Sequence, residues 1–310
     1  MDAVLTDENR DVIAAVRADP HNAWRGQPRS RKIAHLRQRG VPLTTTTSDR
    51  EVDAHLERMM LQDDSVPTHW FGAGARVADA VALIRQPEPA TGFLVSDWLL
   101  LTNHHVLDTP ETAEGAEVLF RYAEDAVGGI APEKLSFDPA RCFITSPVDE
   151  LDYTLVGIGG RDGSDSPGAR FGTIPLISSV GKAIVGQPLN IVQHPGGQSR
   201  RVAFRNNRLL AVEERRLVYE TDTERGSSGS PVLNDRWQVV ALHHASESAR
   251  NAGGDEIDVN GQLVTPSTPD YLRQWVANAG IRVSRIVADL RERDLDVGTR
   301  ALVDAAIAER

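Results

Sequence analysis

The hexamer Gly226-Ser227-Ser228-Gly229-Ser230-Pro231 places a serine hydroxyl between glycines two residues before it and one residue after it. Nucleophilic catalysis by serine needs such a sharp, glycine-supported turn, which exposes the hydroxyl and leaves backbone N–H groups free to bind an oxyanion. An ordinary Gly/Ser turn, with Pro231 opening the next strand, has the same composition. A histidine pair, His104-His105, follows the run Trp98-Leu-Leu-Leu-Thr-Asn103. Neighbouring side chains on extended backbone face opposite ways, so the pair is poorly placed to hold one metal ion; one buried and one exposed histidine is the plainer reading. Asp152 precedes the apolar run Tyr153-Thr-Leu-Val156, where an acid on its own is a turn residue or a strand cap. His194, at a strand end before Pro195-Gly196, and Cys142, between Arg141 and Phe143, read as structural. The acidic stretch Asp255-Glu-Ile-Asp-Val-Asn-Gly261 lacks the spacing and terminal Glu of an EF-hand loop, and Asn260-Gly261 fits a hairpin turn better.

The elements that must position these residues are short and β-rich. From about Arg76, runs at Val77–Ile84, Phe93–Val95, Trp98–Thr102, Glu117–Tyr122, Leu151–Ile158, Leu189–Gln193, Arg201–Phe204, Leu209–Val212, Leu217–Thr221 and Trp237–His243 are separated by Gly, Pro, Asn and Asp clusters. No helical pattern alternates with them, which argues for an all-β barrel or sandwich and against a parallel α/β sheet. The first 65 or so residues differ. Val12, Ile13 and Val16 recur at helical spacing, and Ser48 with Glu51 forms a capping box ahead of a helix through Leu61 with Val52, Leu56, Met59 and Met60 on one face. Beyond Thr265, Ser267-Thr-Pro-Asp270 predicts a helix through Tyr271, Leu272, Trp275 and Val276 that ends at Gly280, with further helices over 284–293 and 299–310. These C-terminal helices fit a solvated face, a clamp on the β core or a partner surface.

Composition removes several classes of function. The 34 Lys+Arg against 44 Asp+Glu give a net charge of −10, the wrong sign for a nucleic-acid surface. No run of apolar residues is long enough to span a bilayer, and Met1-Asp-Ala-Val-Leu-Thr-Asp7 lacks the basic and apolar regions of a secretory signal. The single cysteine excludes an internal disulfide and a Cys-based zinc finger. A cytoplasmic protein with no membrane or nucleic-acid partner is the expectation.

Taken together and in order, Thr102-Asn-His-His-Val106, Asp152-x-x-Leu-Val156 and Gly226-x-Ser228-Gly-Ser-Pro resemble the His, Asp, Ser succession of chymotrypsin-fold serine endopeptidases, in particular bacterial trypsin-like peptidases without disulfides, the glutamyl endopeptidases among them. Gln193-His-Pro-Gly-Gly197 and Trp237-x-Val-Val-Ala-Leu-His243 extend the resemblance over roughly residues 76–278. It implies an all-β core of two antiparallel six-stranded β-barrels at 69–279 and leaves unexplained the helical N-terminal segment at 1–68 and the C-terminal helical extension at 280–310. It implies Ser228 as nucleophile, His105 as general base and Asp152 as its orienting acid, with Gly226 and Ser228 supplying the oxyanion hole. A protein or peptide substrate would be hydrolysed through an acyl-enzyme intermediate, with no cofactor and no metal. Ser227 stands where zymogen-type relatives carry an aspartate, so activation through a new N-terminal ammonium is not expected. At the S1 pocket the resemblance gives two answers. Asp222 implies a basic P1 residue, whereas Thr223 and His243 occupy positions with which glutamyl endopeptidases hold a carboxylate; the basic reading is preferred. The alternatives are an esterase using the same triad, or a protease-fold binding module with a latent or blocked site. The N-terminal helices would recruit a regulatory partner or inhibit.

Overall fold

A computed structural model describes residues 7–61, 65–125, 127–159, 165–205, 207–221, 223–251, 253–269 and 272–308. Four helices lead the chain: α1 (Asp7–Ala18), α2 (Arg29–Gln38), α3 (Asp49–Leu61) and α4 (His69–Asp79). The capping box at the start of α3 forms as expected, with the Ser48 N–H donating to Glu51 Oε2 at 2.7 Å and Ser48 Oγ accepting from the Glu51 N–H at 3.3 Å. Val77 to Asp79, expected to open a strand, instead form the last turn of α4. Gly74 of that helix lies against the Trp237 ring, where no larger residue fits, and Trp70 stacks on the same ring with centroids 4.6 Å apart.

Two antiparallel sheets of seven strands follow. The first contains β1 (Val81–Arg85), β2 (Ala90–Leu94), β3 (Leu99–Thr102), β4 (Glu117–Phe120), β5 (Glu133–Ser136), β6 (Phe143–Ser146) and β7 (Tyr153–Gly157), in the order β5-β4-β1-β2-β3-β7-β6. Short helices α5 (Pro110–Gly115) and α6 (Pro167–Phe171) and the strand β8 (Leu176–Ile177) connect and flank it. The second sheet contains β9 (Asn190–Gln193), β10 (Arg201–Ala203), β11 (Leu209–Val212), β12 (Arg216–Tyr219), β13 (Pro231–Leu233), β14 (Val239–Ser248) and β15 (Trp275–Arg282), in the order β10-β9-β13-β14-β15-β12-β11. Each sheet curls: an isolated bridge joins Phe137 to Ile158 in the first and Pro188 to Arg208 in the second. The chain is thus predominantly β, as expected, but the strand count per sheet is seven among the described residues, not six.

The largest departure from expectation is β15. Trp275 to Gly280, expected as a helix, is a strand running between β14 and β12. Alanine-rich Val276-Ala-Asn-Ala279 favours helix locally, but pairing on both edges decides the matter. Small residues suit the place: a Cβ at Gly280 would lie 2.9 Å from the Leu242 carbonyl and 3.1 Å from the Tyr219 hydroxyl.

The remaining helices are α7 (Val283–Glu292) and α8 (Val297–Ala306), and the chain closes with β16 (Ile307–Ala308) pairing parallel to β8. Val283, Ile286, Val287 and Leu290 of α7 are buried in the main core, so this helix clamps the β structure. On the opposite side, Ile13 and Val16 of α1 pack on Leu210, Ala211 and Val218, while Trp24, Leu36, Val52 and Leu56 enclose Ile184. Among the described residues no helix is long and apolar enough to cross a membrane.

Candidate active site

Asp152 lies at the start of β7 with no exposed surface and a backbone φ of +38°, a conformation that costs an L-residue energy and needs external support. That support is visible: the Asp152 N–H donates to the Pro147 carbonyl at 3.0 Å, and Asn103 Nδ2 donates to the Asp152 carbonyl at 2.9 Å. The turn after β3 then brings His105 onto the carboxylate by two bonds. Its backbone N–H donates to Oδ1 at 3.0 Å and its ring Nδ1 meets Oδ2 at 2.8 Å. A carboxylate only accepts, so Nδ1 carries the proton and the Nε2 lone pair is left to act as a base. His104 turns away, its Nδ1 on Thr145 Oγ1 at 2.7 Å; both residues lie in the turn after β3 and not on the extended backbone expected, and the turn itself separates the two rings.

Sequence reasoning missed a second histidine on the same acid. His244 is 4 % exposed and places Nδ1 2.5 Å from Asp152 Oδ2. The β14–β15 register shifts between His243 and Ala245, and such a bulge re-aims side chains away from plain alternation. The only signal was the doubled His243-His244 ending an apolar run. Burial alone pushes the Asp152 carboxyl upward; the hydrogen bonds from His105 and His244 outweigh it and hold the pKa at about 2. The ligand atoms of His105, Asp152 and His244 lie within 4.8 Å of one another, close enough for a metal ion. Nδ1 of both histidines and Oδ2 already make the hydrogen bonds, so an ion that took those atoms would displace the His–Asp pair.

The serine hexamer forms a tight turn. Ser227 is fully buried and its Oγ accepts from the Glu224 N–H at 3.2 Å, so it braces the turn and offers nothing to a ligand. Gly226 has φ +94°, and a Cβ there would lie 2.5 Å from the His194 carbonyl. Neither the Gly226 nor the Ser228 N–H meets an acceptor among the described residues. The Ser228 hydroxyl makes no hydrogen bond among them either; it lines a cleft of about 920 Å³ together with Thr223, His243 and Ser246. Asp222 lies outside the described residues.

What docks this turn on the first sheet is Thr91 of β2, a buried hydroxyl in an otherwise apolar strand. Its N–H donates to the Ser228 carbonyl at 2.8 Å, its Oγ1 donates to the Gly226 carbonyl at 2.7 Å, and the same oxygen accepts from the His194 N–H at 3.1 Å. Thr102, three residues before His105, donates from its Oγ1 to the Thr91 carbonyl at 2.8 Å, so the histidine turn and the serine turn hang on one residue. Thr91→Val keeps the shape and removes the hydroxyl. Losing one oxyanion donor costs about 10²–10³ in kcat, and loosening the Gly226 peptide should cost about tenfold in kcat with KM little changed. Thr91→Ser should restore the rate; equal rates for Val and Ser variants would contradict this positioning role.

Three histidines are held neutral by burial. His35 and His194 are lowered to about 4 and His243 to about 3, from an unperturbed 6.5. Below pH 6.5 the unfolded chain takes up these protons while the folded chain does not until about pH 4 or 3. Their contribution to stability is therefore complete above pH 6.5 and lost as pH falls, by up to about 1.4 kcal/mol per pH unit for each group. Melting curves should show Tm highest near neutrality and falling steadily from pH 6.5 to 4; a flat Tm across that range would oppose it. Cys142 is buried and its thiol is pushed up to about 11, which makes it inert as expected.

Residues 90–242 match the trypsin-like peptidase domain, a span that holds His105, Asp152 and Ser228. The chain carries a trypsin-like peptidase domain. The uncharacterized protein y4fB of Sinorhizobium fredii is 36 % identical over 279 residues, covering 82 % of this chain and 42 % of that one. The secreted RxLR effector protein 73 of Plasmopara viticola is 28 % identical over 192 residues, covering 54 % and 45 %. The chain thus spans less than half the length of either relative. Among solved structures, a serine endoprotease from Yersinia pestis superposes with TM-score 0.46 at 16 % identity, covering 74 % of this chain and 67 % of that one. A Glu endopeptidase in complex with MPD gives 0.45 at 17 % identity, covering 69 % and 90 %.

Proposed function

We propose that the protein is a serine endopeptidase in which Ser228 attacks the scissile carbonyl, His105 takes and returns the proton, and Asp152 holds the imidazole in the Nδ1–H tautomer. The two curled sheets are read as the two barrels of a chymotrypsin-like fold, with the active site where the His105 turn of the first meets the Ser228 turn of the second, beside a cleft lined by residues of the second. The reading rests above all on the double hold of Asp152 on His105, 3.0 Å to the backbone N–H and 2.8 Å to the ring. The acyl-enzyme would form with its oxyanion on the Gly226 and Ser228 N–H groups. Catalytic hydrogen bonds are often loose before substrate binds, so the open Ser228 hydroxyl is compatible with this role. A fluorophosphonate probe tests it: stoichiometric labelling of Ser228 is expected, and an unlabelled, folded protein would favour the binding-module reading. The open cleft beside Ser228 weighs against a blocked site.

A basic P1 residue would follow if Asp222 lined the cleft, and an acidic one if Thr223 and His243 both donated into it. Against the acidic reading, the Thr223 hydroxyl has acceptors of its own in Asn278 Oδ1 at 2.6 Å and Ser246 Oγ at 3.2 Å. The N-terminal helices, none of whose described residues lines the cleft, are read as a recruitment surface for a cytoplasmic partner and not as a plug. Deleting residues 1–68 should lower Tm sharply without raising activity, since it would expose Ile184, Leu210 and Val218. A stable truncated chain with higher activity would restore the inhibitory role.

A further inference from the structure

Three polar side chains of the cleft beside Ser228, Thr223, Ser246 and His243, have their protons placed by partners behind the cleft wall. The lock starts at Asn278 of β15, a buried side chain behind the cleft wall. Its Nδ2 lies 2.9 Å from the Thr221 carbonyl, which can only accept, so the amide group is oriented and Oδ1 faces the other way. Two hydroxyls meet that Oδ1, Thr223 Oγ1 at 2.6 Å and Ser246 Oγ at 2.8 Å, and they lie 3.2 Å from each other. Both may donate to Oδ1, or one may donate to the other and the second to Oδ1. In both of these arrangements the two protons are used inside the network, and Thr223 and Ser246 turn lone pairs toward the cleft they line.

His243 supplies the opposite polarity. Tyr219 is fully buried and its hydroxyl lies 2.7 Å from His243 Nδ1, the one acceptor it meets among the described residues. The tyrosine therefore donates, and a neutral imidazole must carry its own proton on Nε2. Burial keeps the ring neutral, with the neighbouring His244 and His105 acting in the same direction. With Nδ1 held in the core, Nε2–H is what His243 offers the cleft. Among the charged residues that line the cleft, Glu224 accompanies Arg225, and Arg273 is paired at 3.3 Å with Glu256, a carboxylate it shares with Arg250 at 3.2 Å.

One donor beside two acceptors is the complement of a carboxamide. We propose that this cleft is an S1 site selecting glutamine or asparagine at P1, the side-chain oxygen accepting from His243 Nε2–H and the NH₂ donating to Thr223 Oγ1 and Ser246 Oγ, a reading that rests on Ser228 as the nucleophile. An isosteric glutamate would set its second oxygen against two lone pairs with no proton between them. Lysine or arginine would satisfy the hydroxyls but leave the His243 N–H facing a cation. Sites built to hydrogen-bond a substrate group reject the analogue lacking it by large factors.

The test uses the full chain and three peptides identical except for Gln, Glu or Lys at one position. Cleavage after Gln with kcat/KM at least about tenfold above Glu and Lys is expected. Tyr219→Phe and Asn278→Ala should each pull the Gln:Glu ratio toward one, a ratio that a general loss of folded enzyme would not move. Preference for Glu, preference for Lys (which would assign the choice to Asp222), or no preference overturns the proposal. In parallel, the Ser228→Ala chain is titrated with peptides ending in Gln, Glu or Lys. Tighter binding of the Gln peptide without cleavage by the wild type would keep the recognition site and reject the hydrolytic reading; equal or undetectable binding would reject the recognition site itself.

Discussion

Ser228→Ala should lower peptide hydrolysis by about 10⁶-fold, leaving only the residual acceleration of about 10³–10⁴ over water that binding and oxyanion donors provide. The hydroxyl is the group removed, and it makes no hydrogen bond among the described residues, so nothing in the fold depends on it. The turn is held instead by Ser227, by Thr91 and by backbone bonds such as Gly229 N–H to the His243 carbonyl at 3.0 Å. Tm should therefore stay within a degree or two of wild type, by the usual size of surface substitutions, about 0.5 kcal/mol. Rates on a cleaved peptide, measured beside a thermal melt, check both halves. A large fall in Tm would mean that the hydroxyl has a structural role, and an unchanged rate would exclude Ser228 as nucleophile.

Asp152→Asn should cost about 10⁴-fold in kcat for a different reason. Three donors converge on this carboxylate: the His105 N–H, His105 Nδ1–H and His244 Nδ1–H. An amide offers one accepting oxygen and one donating NH₂, so it cannot serve all three. With its oxygen at the Oδ2 position the amide sets its NH₂ against the His105 backbone N–H, which has no other form; with its NH₂ there both rings face an N–H, and His105 is relieved by moving its proton to Nε2, where it can no longer act as a base. The variant should also lose stability, because a donor left unpaired in the core costs about 1–3 kcal/mol. Slowed fluorophosphonate labelling in step with kcat would locate the defect in His105. Normal labelling with slow turnover would place it elsewhere.

How much of this was legible before the fold was known depends on range. The Gly226 to Pro231 turn, the His104-His105 pair and the Ser48–Glu51 capping box are local, and each sits where its residue types require. Thr91 and His244 were invisible because their partners lie 135 and 92 residues away and no short motif announces either. The segment 275–280 failed in the opposite sense: Ser-Thr-Pro-Asp with apolar residues at helical spacing is a persuasive helix start, overruled by two strand neighbours that the local sequence cannot see. The S1 residues divide similarly. Thr223 and His243 were named from position, but what they offer a substrate is fixed by Asn278 and Tyr219, whose hydrogen bonds set which atoms carry protons.

The most direct test of the central claim is to incubate the purified protein with a diverse peptide pool and map new termini by mass spectrometry, with Ser228→Ala and His105→Ala alongside. Cleavage by the wild type that disappears in both variants is the predicted result. Cleavage that persists in Ser228→Ala, or a folded wild type that neither cleaves the pool nor takes a fluorophosphonate label, would contradict the account.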